Sequence, residues 1–354
     1  MRFGLPYQGS KSSIAKDIIG VLPGGNRLVD LFCGGCAITD FALKNTDKFN
    51  RFLINDIDER NPKTYMKALN GVFRNEDRWI SRQDFFKLKE TDDYVRLCFS
   101  FGNSGKTYMY GPQIEPYKRA IHHIVFWEDY APMEELCPAV VKTIHDYCDG
   151  KDRKGRRLAL GWAVSAHVKA VGSLDYWQSN PMFRAVKVKW SEDRRGISSS
   201  QWNRGSPLQS LESLERLQSL ENLGSLKSLE NLECLERLQS LESLERLERL
   251  ESMENQNVQI VASADDYRNY VYQDGDVVYC DPPYAGANGY GREFDHEAFW
   301  QWCRTRDFPV YVSEYRAPED FISIWCKEKR RLFNHIVLSA NAIEHLFLHK
   351  KWLE

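Results

Sequence analysis

The sequence has no excess of charge of either sign. Its 48 lysines and arginines stand against 50 aspartates and glutamates, which gives a formal net charge of −2 at pH 7. This balance disfavours a protein that coats nucleic acid through its overall charge, because that mode of binding needs a strongly basic chain. A local basic surface is still compatible with the composition, since the Glu-rich residues 208–253 mask basic stretches elsewhere.

Long apolar runs and metal-ligand spacings are also missing. No run of about 18 apolar residues occurs and Met1–Gly4 does not begin a signal segment, so we expect a cytoplasmic protein without a membrane span. Nine cysteines, an odd number placed in apolar surroundings, favour free thiols. Cys33 and Cys36 form a CxxC pair, but no second pair or histidine follows at zinc spacing, so no metal is expected.

A short polar and aromatic motif follows the apolar run Asp276–Cys280, which predicts a buried strand. The Asp281 side chain and the Pro282 carbonyl can accept hydrogen bonds from an exocyclic amine, and the face of Tyr284 can stack on a flat ring. Pro282 and Pro283 fix φ, so the backbone is shaped in advance. Asp-Pro-Pro also occurs in ordinary turns, so the motif alone leaves both interpretations open.

A strand, a glycine-containing turn and a helix are predicted near the N-terminus. The run Asn26–Phe32 predicts the strand, and Ile38–Leu43 predicts the helix that follows the turn. A second strand over Arg51–Asn55 ends at Asp56, the position at which βαβ folds bind ribose hydroxyls. The glycines do not follow the GxGxxG spacing, which disfavours a dinucleotide site.

Two segments carry a family resemblance. The stretch Asp30-Leu31-Phe32-Cys33-Gly34-Gly35 resembles the D-x-F-x-G-x-G motif that binds the methionine part of S-adenosylmethionine, although Cys36 replaces the final glycine. The stretch Asp281-Pro282-Pro283-Tyr284 resembles the catalytic motif of amino-methyltransferases that modify N6 of adenine or N4 of cytosine in DNA. Their order, with a long segment between them, resembles the Dam-type, or D12 class, adenine methyltransferases.

The resemblance implies an α/β fold with a Rossmann-like sheet that uses S-adenosylmethionine as its cofactor. Residues 1–65 and 256–354 would form the catalytic domain, 66–203 an inserted, mainly helical target-recognition region, and 204–255 a Leu-triplet insertion. Tyr7 to Lys11 resembles the segment that closes over the cofactor carboxylate, and Asp266, with Asp265 as the alternative, fits the acid that binds the cofactor's adenine amino group. The implied cofactor-binding residues are Tyr7, Lys11, Asp30, Phe32, Gly34, Gly35, Asp56, Asp266 and Asp281, and the implied catalytic residues are Asp281, Pro282, Pro283 and Tyr284.

The middle of the chain carries candidate DNA contacts. The loop Gly102–Gly111 contains three glycines with polar and aromatic side chains that suit phosphate and base contacts. The run Lys151–Arg157 carries five positive charges and one negative, and basic and aromatic residues alternate again over 177–195. A structural turn and a solvated loop are the alternatives. The candidate DNA-binding residues are Asn103, Lys106, Tyr108, Arg153, Lys154, Arg156 and Arg157.

Leucine falls at every third position from Leu208 to Leu250, and Met253 continues the register. On an α-helix of about 100° per residue, the leucine row slips by about 60° per triplet, so no fixed coiled-coil seam forms. A 3₁₀-helix would align the leucines, but long 3₁₀ runs are uncommon. Because Leu, Glu, Arg and Gln favour helix, we predict a partly exposed helical insertion. Any leucines that it exposes would favour self-association or partner binding.

These features predict a site-specific methyltransferase that transfers the methyl group of S-adenosylmethionine to N6 of a flipped-out adenine in double-stranded DNA. The family resemblance implies a role in DNA methylation, including restriction–modification, and a prokaryotic or phage origin. An N4-cytosine methyltransferase and a non-catalytic DNA-binding protein on the same fold remain the alternatives.

Overall fold

The computed structural model describes residues 2–171, 239–250, 258–284, 294–329, 332–333, 336–337 and 342–353. Two predicted features lie outside these residues. They are the Leu-triplet repeat before Gln239 and the basic and aromatic stretch over 177–195. The fold and the site below are built from the described residues.

The described strands form a seven-stranded mixed sheet and a separate two-stranded ladder. The predicted strands over Arg51–Asn55 and Asp276–Cys280 are confirmed, and the strand predicted over Asn26–Phe32 is confirmed in the shorter range Arg27–Asp30. The strands are β1 (Arg27–Asp30), β2 (Arg51–Asn55), β3 (Gln259–Ser263), β4 (Asp276–Cys280), β5 (Val310–Glu314), β6 (Phe321–Lys329), β7 (Leu332–Phe333), β8 (Ile336–Val337) and β9 (Ala342–His349).

The strand order of the sheet is β3-β2-β1-β4-β5-β9-β6. The first five strands are parallel, whereas β9 runs antiparallel to both β5 and β6. Strand β1 pairs with β4 in the register Leu28↔Val277 and Asp30↔Tyr279. The chain leaves β1 toward β2 on one side, and β4 lies on the other side. The carboxyl ends of β1 and β4 are therefore neighbours where the strand order reverses, although the two strands are far apart in sequence.

Helices form most of the described middle of the chain. None of the helices in the described ranges is long and apolar enough to cross a membrane. The basic run after Lys151 begins a helix rather than forming a loop, because α9 starts at Arg153. The helices are α1 (Ala15–Val21), α2 (Ala37–Asn45), α3 (Arg60–Leu69), α4 (Arg82–Leu88), α5 (Asp93–Cys98), α6 (Glu115–Trp127), α7 (Ala131–Leu136), α8 (Pro138–Cys148), α9 (Arg153–Val171), α10 (Gln239–Leu250) and α11 (His296–Thr305).

The core beside the sheet combines β-branched strand residues with aromatic helix residues. Every residue of β4 and β5 is buried, as expected for central parallel strands that are covered on both faces. Helix α11 begins at the Asp295 cap and carries Phe299 and Trp302 into the same cluster as Val278 and Val312. This packing fixes the positions of the β1 and β4 ends, which the candidate site requires.

The chain divides into two compact units. The first unit comprises Met1–Glu76, Lys87–Lys106 and Ser240–Glu354, and it contains the seven-stranded sheet. The second unit comprises Asp77–Phe86 and Thr107–Gln239, and its described part is helical. The predicted domain boundaries stay a prediction, and helices α3 and α5 with residues 240–250 of α10 belong to the first unit. That the second unit serves target recognition stays a prediction.

Replacing Phe299 by alanine should destabilise the first unit by about 3–5 kcal/mol, because it removes a fully buried ring from the aromatic core. Urea unfolding monitored by tryptophan fluorescence checks this. The exposed Ile322→Ala variant on β6 is the control and should change the unfolding free energy by less than about 1 kcal/mol. Equal effects of the two substitutions would contradict the assignment of the core.

Candidate active site

The glycine turn, residues 31–36, connects β1 to α2 at the carboxyl edge of the sheet. Two hydrogen bonds to the end of β2 hold its backbone in place. The Cys33 N–H donates to the Asn55 carbonyl, and the Gly34 N–H donates to Oδ2 of Asp56, both at 2.9 Å. Gly34 has φ +47°, and Cys36 has φ +55° in the left-handed region. Cys36 therefore adopts the backbone conformation for which glycine is preferred.

Residues 3–10, which we call the N-terminal strap, lie over the glycine turn. The Leu5 N–H donates to the Gly35 carbonyl at 2.7 Å. The Tyr7 side chain packs against both glycines, and a Cβ at Gly35 would come within 2.6 Å of the Tyr7 Cβ. Glycine is thus required at position 35 because the strap approaches the turn too closely for a side chain. The strap and the turn form one structural element.

Asp30 ends β1 with its side chain buried beside the turn. The Thr39 hydroxyl donates to Oδ2 of Asp30 at 3.0 Å. The other carboxyl oxygen is buried and has no hydrogen-bond partner among the described residues. Burial raises the pKa of Asp30 to about 8, and the negative charges of Asp281 and Asp56 act in the same direction. This carboxyl is therefore mainly protonated at neutral pH, and a cation placed beside it would favour its ionised form.

Asp56 follows β2 and braces the glycine turn. Its Oδ2 accepts the Gly34 N–H, and its Oδ1 accepts the Asp58 N–H at 2.9 Å. Burial raises the pKa of Asp56, and the two backbone N–H groups partly oppose that shift. The contact of Asp56 with a ribose stays a prediction. In this structure the carboxylate also holds the backbone of the glycine turn through the Gly34 N–H.

Lys11 reaches the carboxyl end of β4 and pairs with Asp281. Its Nζ lies 2.8 Å from Oδ1 of Asp281 and 3.6 Å from Oε1 of Glu344, and only 7% of the residue is exposed. Lys11 is therefore a buried and paired lysine, not a solvated one at a helix start. The predicted contact with a cofactor carboxylate is untested, because in this structure Lys11 pairs with two carboxylates of the protein itself.

Tyr284 is held tightly beside this ion pair. Its hydroxyl donates to Oε1 of Glu344, the Lys11 ammonium lies 4.3 Å from its ring centroid, and Tyr315 meets it edge-on at 4.5 Å. Burial, with the charge of Asp281, raises the pKa of Tyr284 well above its ordinary value. The Tyr284 residue is 8% exposed, and the stacking of a base on its ring stays a prediction.

The segment after β3 places both candidate adenine-binding acids beside a cavity. The cavity has a volume of about 210 Å³, and its lining includes Leu53, Asp265 and Asp266. It is smaller than the roughly 300–1,000 Å³ of pockets for whole ligands, so it suits one part of a nucleoside. Hydrogen bonds from Arg268 lower the pKa of Asp266. Phe32 packs nearby against Tyr267, with ring centroids 5.3 Å apart.

Two residues of this site escaped sequence reasoning. Glu344 is fully buried on β9 beside Lys11. Asn55, at the end of β2, donates to the Leu31 and Asp265 carbonyls and accepts the Asp265 N–H, so it connects β2 to the segments that follow β1 and β3. A charged residue within the apolar run of β9 was the available signal for Glu344. The signal for Asn55 was its place directly before Asp56.

Comparison with known families bears on the first part of this site. Residues 7–122 match the family model of the D12 class N6 adenine-specific DNA methyltransferases. The match confirms the resemblance over about a third of the chain and indicates an adenine-specific DNA methyltransferase. The matched segment contains Lys11, the glycine turn and Asp56, and it ends before Asp281. No curated protein sequence matches the chain.

The residues available for the methionine part of the methyltransferase cofactor fit that group. The unpartnered, buried oxygen of Asp30 can accept a hydrogen bond from an ammonium group. The glycine turn brings backbone close to the same place, with the strap above it. Among the described residues, no group of three or more His, Cys, Asp or Glu side chains has an arrangement that could hold a metal ion.

The candidate DNA-binding residues fall into two groups. Lys106 and Lys154 are exposed, as a phosphate contact requires. Tyr108 and Arg156 are buried, and DNA contact by these two residues stays a prediction. The Tyr108 hydroxyl donates to the Ile80 carbonyl, and Arg156 donates to the Val125 carbonyl at 2.9 Å. These two side chains stabilise the second unit in this structure.

The other three candidates are partly buried. Asn103 belongs to the first unit, has φ +55° and donates to the Leu97 carbonyl at 2.7 Å. Arg153 lies over the ring of Phe126, with its guanidinium carbon 5.2 Å from the ring centroid. Arg157 follows on the same helix. DNA contact by these three residues stays a prediction.

Asp30→Asn should flatten the dependence of stability on pH. The folded pKa of about 8 lies above the ordinary value of 3.8, so the folded protein binds more protons than the unfolded chain between these values. The contribution of Asp30 to the free energy of unfolding therefore falls as pH rises from about 4 to 8, by up to about 1.4 kcal/mol per pH unit. Asp30→Asn removes this slope, and urea unfolding at a series of pH values measures it.

The exposed Asp47→Asn variant is the control for this measurement, and it should keep the wild-type pH dependence. The same slope in wild type and Asp30→Asn would show that Asp30 is not buried as a protonated carboxyl.

Proposed function

We propose that the protein transfers the methyl group of S-adenosylmethionine to N6 of an adenine in double-stranded DNA. The adenine would be flipped out of the duplex to reach the site. One observation carries the proposal: Asp30 and the Lys11–Asp281 pair lie at the neighbouring carboxyl ends of β1 and β4. The family match over residues 7–122 supports adenine as the target.

The topology supports a Rossmann-like methyltransferase sheet. The strand order reverses between β1 and β4, and open α/β sheets bind ligands in the crevice at such a point. The glycine turn follows β1, and the Asp281 motif follows β4. A ligand held by the turn would therefore lie beside Asp281.

Bound S-adenosylmethionine supplies an electrophilic sulfonium methyl group. Asp30 would hold the ammonium of its methionine part, and Asp56 lies at the end of β2, where ribose hydroxyls bind in related folds. Asp265 or Asp266 would accept the adenine amino group at the cavity that both acids line. Phe32 and Tyr267 would supply apolar contact to the ring.

Asp281 and Pro282 would prepare the target amine. The lone pair of an exocyclic amine is delocalised into its ring, so the amine is a poor nucleophile. The Asp281 carboxylate and the Pro282 carbonyl would accept its two hydrogens, localise the lone pair and aim it at the methyl group. Positioning and electrostatic stabilisation then account for the rate of an in-line displacement.

Lys11 and Glu344 would hold Asp281 in place. A buried carboxylate pair with no cation is costly, and Lys11 lies within 4 Å of both Asp281 and Glu344. Glu344 also accepts the Tyr284 hydroxyl, so the position of the tyrosine is tied to that of the ion pair. The strap, which leads into Lys11, thereby connects the cofactor side of the site to the catalytic motif.

Asp281→Asn should lower methyl transfer by about 100- to 1,000-fold, because the amide replaces one acceptor oxygen with a donor. Transfer of a radiolabelled methyl group to mixed-sequence duplex DNA measures the loss. An unfolding curve for the variant confirms that it is folded. A folded Asp281→Asn variant with wild-type turnover would contradict the catalytic assignment.

Lys11→Met should lower turnover by about 10- to 100-fold, because Asp281 loses the cation that positions it. Lys16→Met is the matched control, since Lys16 is exposed on α1 and should leave the rate unchanged. The same methyl-transfer assay compares the two variants. Equal rates for them would show that the Lys11–Asp281 pair has no part in the reaction.

A further inference from the structure

We propose that Arg246, in the Leu-triplet repeat, is a positioning residue for cofactor binding. It holds the N-terminal strap over the glycine turn from the side of helix α10. The inference rests on the proposed function, because the strap is taken to cover the methionine part of S-adenosylmethionine. It gives the last triplets of the repeat a defined role in the methyltransferase site.

The last triplets of the repeat are part of the core of the first unit. The predicted helix is confirmed over Gln239–Leu250. Four consecutive leucines of the triplet row are at most 7% exposed, although they span about half the circumference of an α-helix. The buried leucines are Leu241, Leu244, Leu247 and Leu250. The leucine row of this part of the predicted, partly exposed helix is therefore buried.

Arg246 lies among these leucines and makes three contacts with the strap. Its Nε donates to the Gly4 carbonyl at 2.6 Å, and its Nη2 donates to the Phe3 carbonyl and to the Ser10 hydroxyl, the latter at 3.1 Å. The residue is 6% exposed, and burial lowers its pKa to about 10. It is therefore charged at neutral pH, and charge-assisted hydrogen bonds are the stronger kind.

The contacts of Arg246 lie at both ends of the strap. Phe3 and Gly4 are at its beginning and Ser10 is at its end, so Tyr7, which packs on the glycine turn, is held between them. Lys11, the partner of Asp281, follows Ser10 directly. Without Arg246 the strap keeps its own contacts with the turn, such as the hydrogen bond from Leu5 to Gly35, but loses the three hydrogen bonds from Arg246.

The chain offers a matched control for this residue. The ten residues 238–247 read Leu-Gln-Ser-Leu-Glu-Ser-Leu-Glu-Arg-Leu, and residues 208–217 have the same sequence. Arg216 therefore occupies the same local sequence as Arg246. A substitution at Arg216 changes the composition and charge of the repeat in the same way, without removing the contacts seen at Arg246.

The test compares Arg246→Gln, Arg246→Lys and Arg216→Gln in steady-state methyl transfer by the full chain. Arg246→Gln should raise the KM for S-adenosylmethionine about tenfold and leave kcat within about twofold, because ground-state positioning of the cofactor is weakened. Arg246→Lys should recover part of the loss, since lysine keeps the charge but lacks the planar fork. Arg216→Gln should behave as wild type.

Amide hydrogen exchange without cofactor gives a second measurement that does not depend on activity. The amides of Gly4 and Leu5 should exchange at least about tenfold faster in Arg246→Gln than in wild type, while amides of β4 keep their rates. A uniform acceleration would mean a general loss of stability and would overturn the positioning role.

An unchanged KM for S-adenosylmethionine in folded Arg246→Gln, or an equal change in Arg216→Gln, would also overturn this inference, while the proposed function would stand. If wild-type protein neither binds S-adenosylmethionine nor transfers a methyl group, the proposed function itself fails. In that case faster exchange confined to the strap would still show that Arg246 holds it, but the cofactor role would be overturned.

Discussion

The ion pair between Lys11 and Asp281 is the interaction on which the candidate site depends. It joins the start of the chain to the carboxyl end of β4 at an N–O distance of 2.8 Å, in a largely buried setting. A buried charge without a partner is costly, so the two residues have to meet if either is to be buried ionised. They meet because β1 and β4 are neighbours, and because the strap runs over the glycine turn that follows β1.

Several carboxyl groups lie near this pair, and the directions of the strands determine their positions. Asp30, Asp56 and Asp281 each follow or end a parallel strand, so all three lie at the carboxyl edge. Glu344 reaches the same edge from β9, which runs in the opposite direction beside β5. Burial and mutual repulsion raise the pKa of Asp30 to about 8, which makes this position suited to an incoming cation. The sulfonium cofactor of the proposed reaction carries such a cation in its ammonium group.

Sequence patterns predicted the parts of the site that depend on local order. The apolar runs before Asp56 and Asp281 identified strands, and parallel strands bring their carboxyl ends together, so these residues could be placed from the sequence. Glu344 could not, because its position depends on an antiparallel strand inserted between β5 and β6. The burial of Tyr108 and Arg156 depends on helix packing that local composition does not specify. The composition of the triplet repeat predicted the helix that is observed at residues 239–250, but it did not predict that the leucines of this helix are buried.

The central claim is that this edge of the sheet transfers a methyl group to N6 of adenine. The most direct measurement is mass spectrometry of nucleosides from DNA incubated with the purified protein and S-adenosylmethionine that carries a deuterated methyl group. The account predicts deuterium-labelled N6-methyladenine in the wild-type reaction. Labelled N4-methylcytosine in its place, or no labelled nucleoside from a folded wild-type protein, would contradict it.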